Sequence, residues 1–430
     1  MSKDGLSDIH GEKGRIEIMK IFQFSLYKIL ILIFLIFFVT ACSEYDVASP
    51  QWDQDFKDVP IPIITSVSPA DVAVAGVNTI TITGENFLEV PDSFGVYFNT
   101  VPTEVISSST TSLVVRRPNI VAEAATIKVV PTQALVVAKH SPYQIDAVLE
   151  SYISFDINTY SYAIAADPDE NIYVINTASP FNIIKIDTSG TQEILGTCNF
   201  EPSKLIIGPD GRLYITRISQ REILVFDENT DTQASRWTRL PRGFSISYGV
   251  FNSEGYFFAG GDEGGLISIA PNPDISDPIV NETGFYTDDE ILGLTIYQNY
   301  IYAAVFTTSP DAQHPELAIW RHALTDSGTV GEMELALDLT SSPIAASSTI
   351  NTFKFDEAGN MFIGIDGNDP LLINSAGTSN IDYFYKSILP SNCRQFCWGT
   401  GDYIYIIVDE KSDTSGDSIY RVNVGSSEGS

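Results

Sequence analysis

The stretch Ala165–Asp187 decides the fold of this chain. It reads Ala-Ala-Asp-Pro-Asp-Glu-Asn-Ile-Tyr-Val-Ile-Asn over residues 165–176 and, after a polar gap, Asn-Ile-Ile-Lys-Ile-Asp over 182–187. The Asp-Pro-Asp-Glu-Asn segment has the composition of a tight turn, and the apolar runs around it have the length of strands. The stretch therefore predicts a small antiparallel meander.

The same arrangement recurs five more times. Each unit carries an aromatic residue in its second strand, at steps of 41, 43, 45, 60 and 43 residues: Tyr173, Tyr214, Phe257, Tyr302, Phe362 and Tyr405. A repeat of about 40 to 50 residues is typical of propeller blades, because a single meander cannot bury both of its faces alone. The six units predict six blades, with one insertion, Thr307–Glu316, in the fourth.

The ends of the repeat predict how the ring closes. The sixth unit stops near Val424 without a fourth strand, whereas a spare strand at 150–157 precedes the first unit. Because closure removes the last exposed sheet edge, we expect this strand to pair with the final blade. The pattern over 148–425 resembles NHL-repeat six-bladed propellers, and residues 426–430 are expected to form a disordered tail.

A second all-β domain is predicted at 61–147. Alternating β-branched runs separated by turn residues indicate a β-sandwich. Thr81-Ile-Thr-Gly-Glu-Asn-Phe87 and the strand that opens on Phe94-Gly95 resemble the IPT/TIG immunoglobulin-like family. Gly84 and Asn86 are expected to adopt positive φ in turns, and Phe87 to fill the core. The predicted fold class is thus all-β, an IPT/TIG sandwich followed by a six-bladed β-propeller, and the sandwich is expected to act as a spacer.

The start of the chain predicts a membrane anchor. Positive charges at Lys20 and Lys28 precede an apolar core over 29–39, which is too short for a comfortable membrane span. Residues 1–41 are therefore predicted to be a signal peptide, with translation starting at Met1 or Met19. Val39-Thr40-Ala41-Cys42 resembles the lipobox of bacterial lipoproteins, which implies acylation of Cys42. Residues 42–60 would form a flexible tether.

The net charge of the chain and the residues after Cys42 indicate which classes of partner to expect. Twenty-four basic and 55 acidic residues give a net charge of −31, which excludes nucleic acid as a partner through repulsion of phosphate. The acidic start after Cys42 resembles surface lipoproteins of Bacteroidetes, some of which belong to glycan-uptake systems. That resemblance implies an outer-membrane protein, anchored by lipid and facing outward, with a glycan or an outer-membrane protein as partner.

The sequence contains few of the motifs that are typical of enzymes or metal sites. No His-x-x-x-His pair occurs, and the single Gly-x-Ser-x-Gly match, residues 425–429, is not placed between a predicted strand and a helix as a nucleophile elbow is, so we expect no enzyme activity, no metal site and no cofactor, with structural calcium as the one ion considered. The rival is a metal-dependent lactonase or lyase, for which Asp156, Asn158, Asn351 and Asn392 are candidate oxygen ligands. A purely structural envelope scaffold is a third interpretation.

Cysteines and aromatic residues complete the candidates. Three cysteines follow Cys42, and because an exported chain meets an oxidising compartment, Cys393 with Cys397 is the disulfide we would choose; buried free thiols are the alternative. Aromatic rings can stack on sugars, although such residues more often pack in cores. The candidates for ligand binding are Trp237, Trp320, Trp398, Tyr160 and Tyr248. The sequence thus predicts a non-enzymatic surface protein that binds a ligand or a protein through its propeller.

Overall fold

The six predicted meanders are six four-stranded antiparallel sheets. The computed structural model describes residues 60–429 except 133–135, 157–158, 178–179, 218–220, 276, 326, 347–349 and 410–415. The predicted leader, lipobox, Cys42 and most of the tether lie outside the described residues. In five of the six sheets the strands follow one another in chain order from the inner to the outer edge.

Five blades come from continuous segments. Their strands are Ser161–Ala166, Ile172–Asn176, Phe181–Ile186 and Gln192–Cys198 in blade one; Lys204–Ile207, Leu213–Thr216, Glu222–Phe226 and Ser235–Arg239 in blade two; Tyr248–Phe251, Phe257–Gly260, Ile267–Ile269 and Val280–Glu282 in blade three; Glu290–Tyr297, Tyr300–Phe306, Leu317–Ala323 and Glu334–Asp338 in blade four; and Ile350–Phe355, Met361–Ile365, Leu371–Asn374 and Ile381–Tyr383 in blade five. A short 3₁₀ turn, Pro343–Ala346, lies between blades four and five.

Blade six confirms the predicted closure. It contains Cys393–Trp398, Tyr403–Val408 and Ser418–Asn423, and its outer strand is Leu149–Ser154 from before the first blade. The register pairs Leu149 with Val422 and Ser154 with Ser418. The two ends of the propeller sequence are therefore held together by a strand pair, and Ser418–Asn423 is not left as the outer edge of its blade.

The aromatic positions used to align the repeats are core residues. All six lie in second strands and are at most 7% exposed: Tyr173, Tyr214, Phe257, Tyr302, Phe362 and Tyr405. A second strand has a neighbouring blade on each side, so both of its faces are apolar and it reads as a continuous hydrophobic run. Burial of one such ring contributes roughly 1.5–3 kcal/mol, which is why the position recurs in every unit.

The tail is ordered up to residue 429, contrary to the prediction for 426–430. The Gly429 amide donates to the Phe355 carbonyl at 2.8 Å, and the Glu357 amide donates to the Ser427 carbonyl at 3.0 Å. The Lys354 ammonium binds the Glu428 carboxylate at 2.7 Å. A Gly- and Ser-rich composition favours disorder locally, but these bonds to blade five supply partners that composition does not reveal.

The N-terminal sandwich has two sheets that enclose one core. The four-stranded sheet has the order Ile63–Ser68, Thr79–Glu85, Ser112–Arg116 and Val105–Ser108; the five-stranded sheet has the order Val72–Ala73, Ala138–Ile145, Ala122–Pro131, Phe94–Phe98 and Val101–Thr103, and Pro91–Ser93 forms a 3₁₀ turn. Phe87 lies in this core, 3% exposed, as predicted.

The two turn residues of the heptad have different roles. Asn86 adopts the predicted positive φ, at 60°. Gly84 does not: it lies inside the strand Thr79–Glu85, where a Cβ would stand 1.9 Å from the Ile63 carbonyl oxygen and 2.5 Å from the Phe87 ring. Gly84 is required for the close approach of backbone and ring, which corrects the expectation of a turn conformation.

The sandwich and the propeller belong to one compact unit with a polar interface. Arg116 donates to both carboxylate oxygens of Asp382, at 2.5 and 2.6 Å. The Asn78 amide nitrogen donates to the Tyr383 carbonyl, and its oxygen accepts from the Tyr385 amide. The Tyr385 hydroxyl accepts from the Gly76 amide at 2.6 Å. These contacts fix the sandwich against blade five.

Candidate functional site

The inner strands of the six blades surround a channel on the propeller axis. Neighbouring inner strands contact one another around the ring, and the sixth contacts the first. A cavity of about 240 Å³, here called the axial channel, is lined by residues from all six inner strands. Because each blade begins at the axis and the blades are arranged cyclically, the inner strands run in the same direction. We call the end where they begin the upper mouth and the other end the lower mouth.

Two side chains cross the upper mouth. The Lys204 ammonium, from blade two, donates to the Asn351 carbonyl of blade five at 2.6 Å. In a ring of six these blades are opposite each other. The Gln395 amide nitrogen, from blade six, donates to the Ser203 carbonyl at 2.6 Å. Together the two side chains form a polar floor beneath the upper mouth.

The environment of Lys204 is unusual for an ammonium group. Its Nζ lies 5.3 Å from the centroid of the Tyr248 ring. Burial lowers the pKa of Lys204 to about 7, Cys393 opposes this shift, and the charge of Lys354 adds to it. Desolvation penalises the charged form, so this amine is poised between its two protonation states near neutral pH.

The ordered tail lies at the lower mouth. Glu428 lines the axial channel and pairs there with Lys354, which is near the end of its inner strand. Beside this pair is a second cavity of about 440 Å³, lined by the first turn of blade one, by Trp398 and by Glu428 and Gly429. The channel thus has a bridged upper mouth and a lower mouth that the tail partly covers.

Two of the five predicted ligand-binding aromatic residues, Tyr160 and Tyr248, lie at the upper ends of inner strands, and Tyr248 lines the axial channel. Tyr160 immediately precedes the inner strand of blade one and is 42% exposed. The Arg394 guanidinium lies 5.7 Å from the centre of its ring, and Asp409 holds that guanidinium at 3.1 Å. Tyr248 is partly exposed in the channel lining, and burial raises its pKa to about 12.

The three tryptophans pack against other side chains, and Trp398 also lines the axial channel and the second cavity; their role as ligand platforms stays a prediction. Trp320 and Trp398 are 5% and 4% exposed, and the Trp398 indole donates to the Gly401 carbonyl. Trp237 packs edge to face against Tyr214 and Phe251 in the interface between blades two and three.

The predicted Cys393–Cys397 disulfide is absent: both residues are free and buried, as is Cys198. Cys393 and Cys397 lie on one strand, four positions apart, so their Cα atoms are separated by roughly 13 Å. A disulfide requires about 4.4–6.8 Å. Burial raises the pKa of Cys393 to about 12 and also raises that of Cys397, which keeps both thiols protonated and unreactive.

Of the candidate oxygen ligands for a metal, Asn351 uses its side-chain amide as a hydrogen-bond donor. Within the described ranges of the chain, no three His, Cys, Asp or Glu side chains are close enough to hold a metal ion. The Asn351 amide nitrogen donates to Asp366 at 2.7 Å and to the Cys393 carbonyl at 2.8 Å, so the amide acts here as a donor. Asn158 lies outside the described residues.

Lys204 and Gln395 were not predicted from the sequence. Lys204 opens the run Lys-Leu-Ile-Ile, and a charged residue at the start of an inner strand is a signal that could have drawn attention to it. Its partner is 147 residues away, however, and only the closed ring shows that the two meet.

No helix in the described part of the chain has the length and apolar character needed to cross a bilayer. Residues 62–145 match the IPT/TIG domain family. No curated protein shows significant sequence similarity to the chain.

Solved structures are similar at low identity. An auxiliary nutrient binding protein from Bacteroides thetaiotaomicron is 10% identical, with a TM-score of 0.47 and coverage of 86% of this chain and 99% of its own. One from Bacteroides ovatus is 11% identical, with a TM-score of 0.48 and coverage of 85% and 98%. A gluconolactonase from Xanthomonas campestris is 14% identical, with a TM-score of 0.47 and coverage of 65% and 89%. Binding proteins and an enzyme both occur in this set, so similarity does not choose between those functions.

Proposed function

We propose that this protein is a non-enzymatic binding protein of the bacterial envelope and that its ligand, a glycan, binds at the upper mouth of the axial channel. One observation carries the proposal: Lys204 and Gln395 cross the mouth and bond to backbone carbonyls on other blades. They turn an open channel into a depression with a fixed polar floor. Depressions of this kind, with a few oriented polar groups, are typical binding sites.

The aromatic residues at the mouth favour a sugar as the ligand. Tyr160 is an exposed ring just before the first inner strand, and Tyr248 lines the channel beside the floor. Aromatic faces pack against the apolar face of a sugar ring, while fixed donors bind its hydroxyl groups. Asp409 holds Arg394 against Tyr160, so this part of the rim is oriented before a ligand arrives.

The metal-enzyme alternative is less well supported by the same residues. A divalent cation on the axis would share the upper mouth with the Lys204 ammonium, and like charges repel. The Asn351 amide directs its nitrogen, rather than its oxygen, towards Asp366. We therefore propose binding without chemistry, and the sandwich as a spacer that holds the propeller.

The proposed location follows from the leader. Acylation of Cys42 would tether the protein to the outer membrane, and we propose that it faces outward, where a glycan ligand would be met. In cells that express the protein, metabolic labelling with a fatty-acid analogue is expected to mark it, and Cys42→Ala is expected to abolish the label. Labelling that persists in this variant would contradict the anchor.

A glycan array tests the binding proposal. The full-length protein would be applied in a detergent without a sugar headgroup, with and without calcium. We expect binding to a subset of glycans that Tyr160→Ala weakens and that Tyr300→Ala, a partly exposed tyrosine outside the mouth, leaves unchanged. Silence across the array under both conditions would contradict glycan binding. A response that requires calcium would revive the structural-ion prediction.

A further inference from the structure

The positive and negative side chains that line the axial channel are unequal in number. Its lining contains three charged side chains, Lys204, Lys354 and Glu428. Lys354 and Glu428 form an ion pair at 2.7 Å at the lower mouth. The partners of Lys204 are a carbonyl oxygen and the ring of Tyr248, neither of which carries charge. The lining therefore has one uncompensated positive charge, inside a protein whose net charge is −31.

A half-buried cation without an anionic partner is costly, and the chain meets that cost only by lowering the pKa of the amine. The effects that set the pKa of Lys204 come from burial, Cys393 and Lys354, and no carboxylate is among them. Asp366 is close by, but it binds the Asn351 side chain, whose backbone carbonyl is the group that Lys204 uses. Burial of a charged group is normally accompanied by a partner, so a bound anion would supply what is missing.

We infer that Lys204 binds an oxyanion of the ligand, so that the glycan taken up at the upper mouth is an acidic one, bearing carboxylate or sulfate groups. The inference rests on the proposed function. An ammonium group has three donors, and the Asn351 carbonyl takes one, which leaves two for an anion. Bonds between an ammonium group and an oxyanion are charge-assisted and stronger than those to a neutral hydroxyl.

The surroundings of Lys204 make the recognition selective. The ring of Tyr248 lies beside the ammonium and offers a face to the sugar that carries the anion. Carboxylates at Glu290 and Asp366 raise the pKa of Tyr248 further and so lie within electrostatic range of the same position. The Lys204 ammonium attracts the anionic group of the ligand, whereas the carboxylates of Glu290 and Asp366 repel it from the neighbouring positions. The anionic group therefore has one favoured position, which fixes the orientation of the ligand.

The test compares matched acidic and neutral sugars. Oligogalacturonate and its carboxyl-reduced form make one pair, and a sulfated oligogalactan and its desulfated form make the other. Binding of each to the full-length protein in detergent would be measured calorimetrically for the unaltered chain, for Lys204→Gln and for Lys139→Gln. Lys139 is an exposed lysine of the sandwich and serves as the control.

We expect one acidic oligomer to bind at least about tenfold more tightly than its neutral form, the size of one charge-assisted hydrogen bond. Lys204→Gln is expected to lose that difference and Lys139→Gln to keep it. A preference for oligogalacturonate over its reduced form would indicate recognition of carboxylate, and a preference for the sulfated oligogalactan over its desulfated form would indicate recognition of sulfate. Equal binding of acidic and neutral forms, or an unchanged Lys204→Gln variant, would overturn the inference.

The same experiment also covers the case in which the Lys204 variants do not fold and the case in which acidic glycans do not bind. If neither Lys204→Gln nor Lys204→Met folds, as judged by circular dichroism, the comparison of acidic with neutral sugars in the unaltered protein decides alone. Neutral glycans that bind while acidic ones do not would overturn the inference and leave the proposed function standing. Silence of every oligomer here and on the array would overturn both.

Discussion

At the scale of single residues, the repeated turn has a specific chemical basis. The Asp167 carboxylate accepts bonds from the Asp169 and Asn171 amides at 2.9 and 2.8 Å and from the Asn171 side chain at 2.8 Å. Asp356 makes the equivalent bonds with the amide and side chain of Asn360. An aspartate at the first turn position replaces a backbone acceptor and holds the hairpin closed.

Loss of the Asp356 carboxylate is expected to destabilise blade five. Asp356 is 2% exposed, and in Asp356→Ala the donors of Asn360 would lose their partner at a cost of about 1–3 kcal/mol in the free energy of unfolding. Denaturant titration measures this cost. Asp169→Ala, at an exposed turn position, is the control and should change stability by less than about 0.5 kcal/mol. Equal effects of the two substitutions would contradict this role.

The lowered pKa of Lys204 predicts a pH dependence of stability. The unfolded lysine holds its proton up to its ordinary pKa, whereas the folded one releases it near pH 7. Between pH 7 and 9 the unfolded state thus binds more protons, and stability rises with pH. Lys354, Cys393 and Tyr248 surround the amine, and burial raises the pKa of Cys393 and Tyr248 to about 12, outside this window in the folded state.

Comparison of the unaltered protein with Lys204→Met isolates the contribution of Lys204 to the pH dependence of stability. The difference in free energy of unfolding between the unaltered protein and Lys204→Met is expected to grow in favour of the unaltered protein from pH 7 to pH 9. Denaturant titrations in a pH series measure it. A difference that stays flat, or falls, would show that this lysine keeps its proton in the folded state.

At the residue scale, the sequence predicts a feature when its physical cause is local and misses it when the partner is distant in the chain. The six aromatic positions and Asn86 were predictable because burial in a strand and a turn conformation are local properties. Lys204 and Gln395 were not, because their partners lie on other blades. The packing of the three tryptophans was not predictable either, because the residue type alone does not distinguish an exposed ring from a packed one.

At the scale of elements, the two chain segments that complete the propeller behave differently. The closing strand was predictable because a missing outer strand and a spare one are both visible in the repeat. The ordered tail was not, because Glu428 pairs with Lys354, 74 residues away, and a polar composition gives no sign of it. Gly429 also fits closely: a Cβ there would stand 2.3 Å from the Asp356 carbonyl oxygen.

Removal of residues 426–430 is expected to open the lower mouth. Cys397 lines the channel near Glu428, so its thiol should react faster with a small alkylating reagent once the tail is gone. Mass spectrometry of the labelled peptides measures the rate, and an increase of about tenfold would correspond to loss of roughly 1.4 kcal/mol of protection. Cys198, buried between blades one and two, is the internal control. Equal labelling of Cys397 with and without the tail would contradict the proposed cover.

At the scale of the whole molecule, the sandwich is joined to blade five by charged groups. Arg116 binds Asp382 through both carboxylate oxygens, and Glu104 binds both Arg116 and Lys386. The Arg116 side chain is only 11% exposed, which limits screening by solvent. These contacts therefore hold the sandwich in one orientation relative to the propeller.

Arg116→Ala is expected to loosen this interface. Loss of a partly buried bidentate pair costs about 1.5–3 kcal/mol, so proteolysis at the connection over 146–148 should accelerate about tenfold or more. Timed digestion analysed by mass spectrometry measures the rate. Arg236→Ala breaks a more exposed pair with Glu222 on an outer strand and should leave that rate unchanged. The same rate in both variants would show that the ion pair does not hold the domains together.

The upper mouth and its floor exist only if the ring is closed, and the ring is closed only if Leu149–Ser154 completes blade six. Ser154 and Ser418 are paired across that junction, with their hydroxyl oxygens 3.2 Å apart. In the double variant S154C/S418C, mild oxidation is expected to link the two positions, as shown by the mass of the joined peptides, and to raise the unfolding temperature, because the link closes a very long loop. Folded protein in which both introduced thiols stay free after oxidation would contradict the closed ring and the site built upon it.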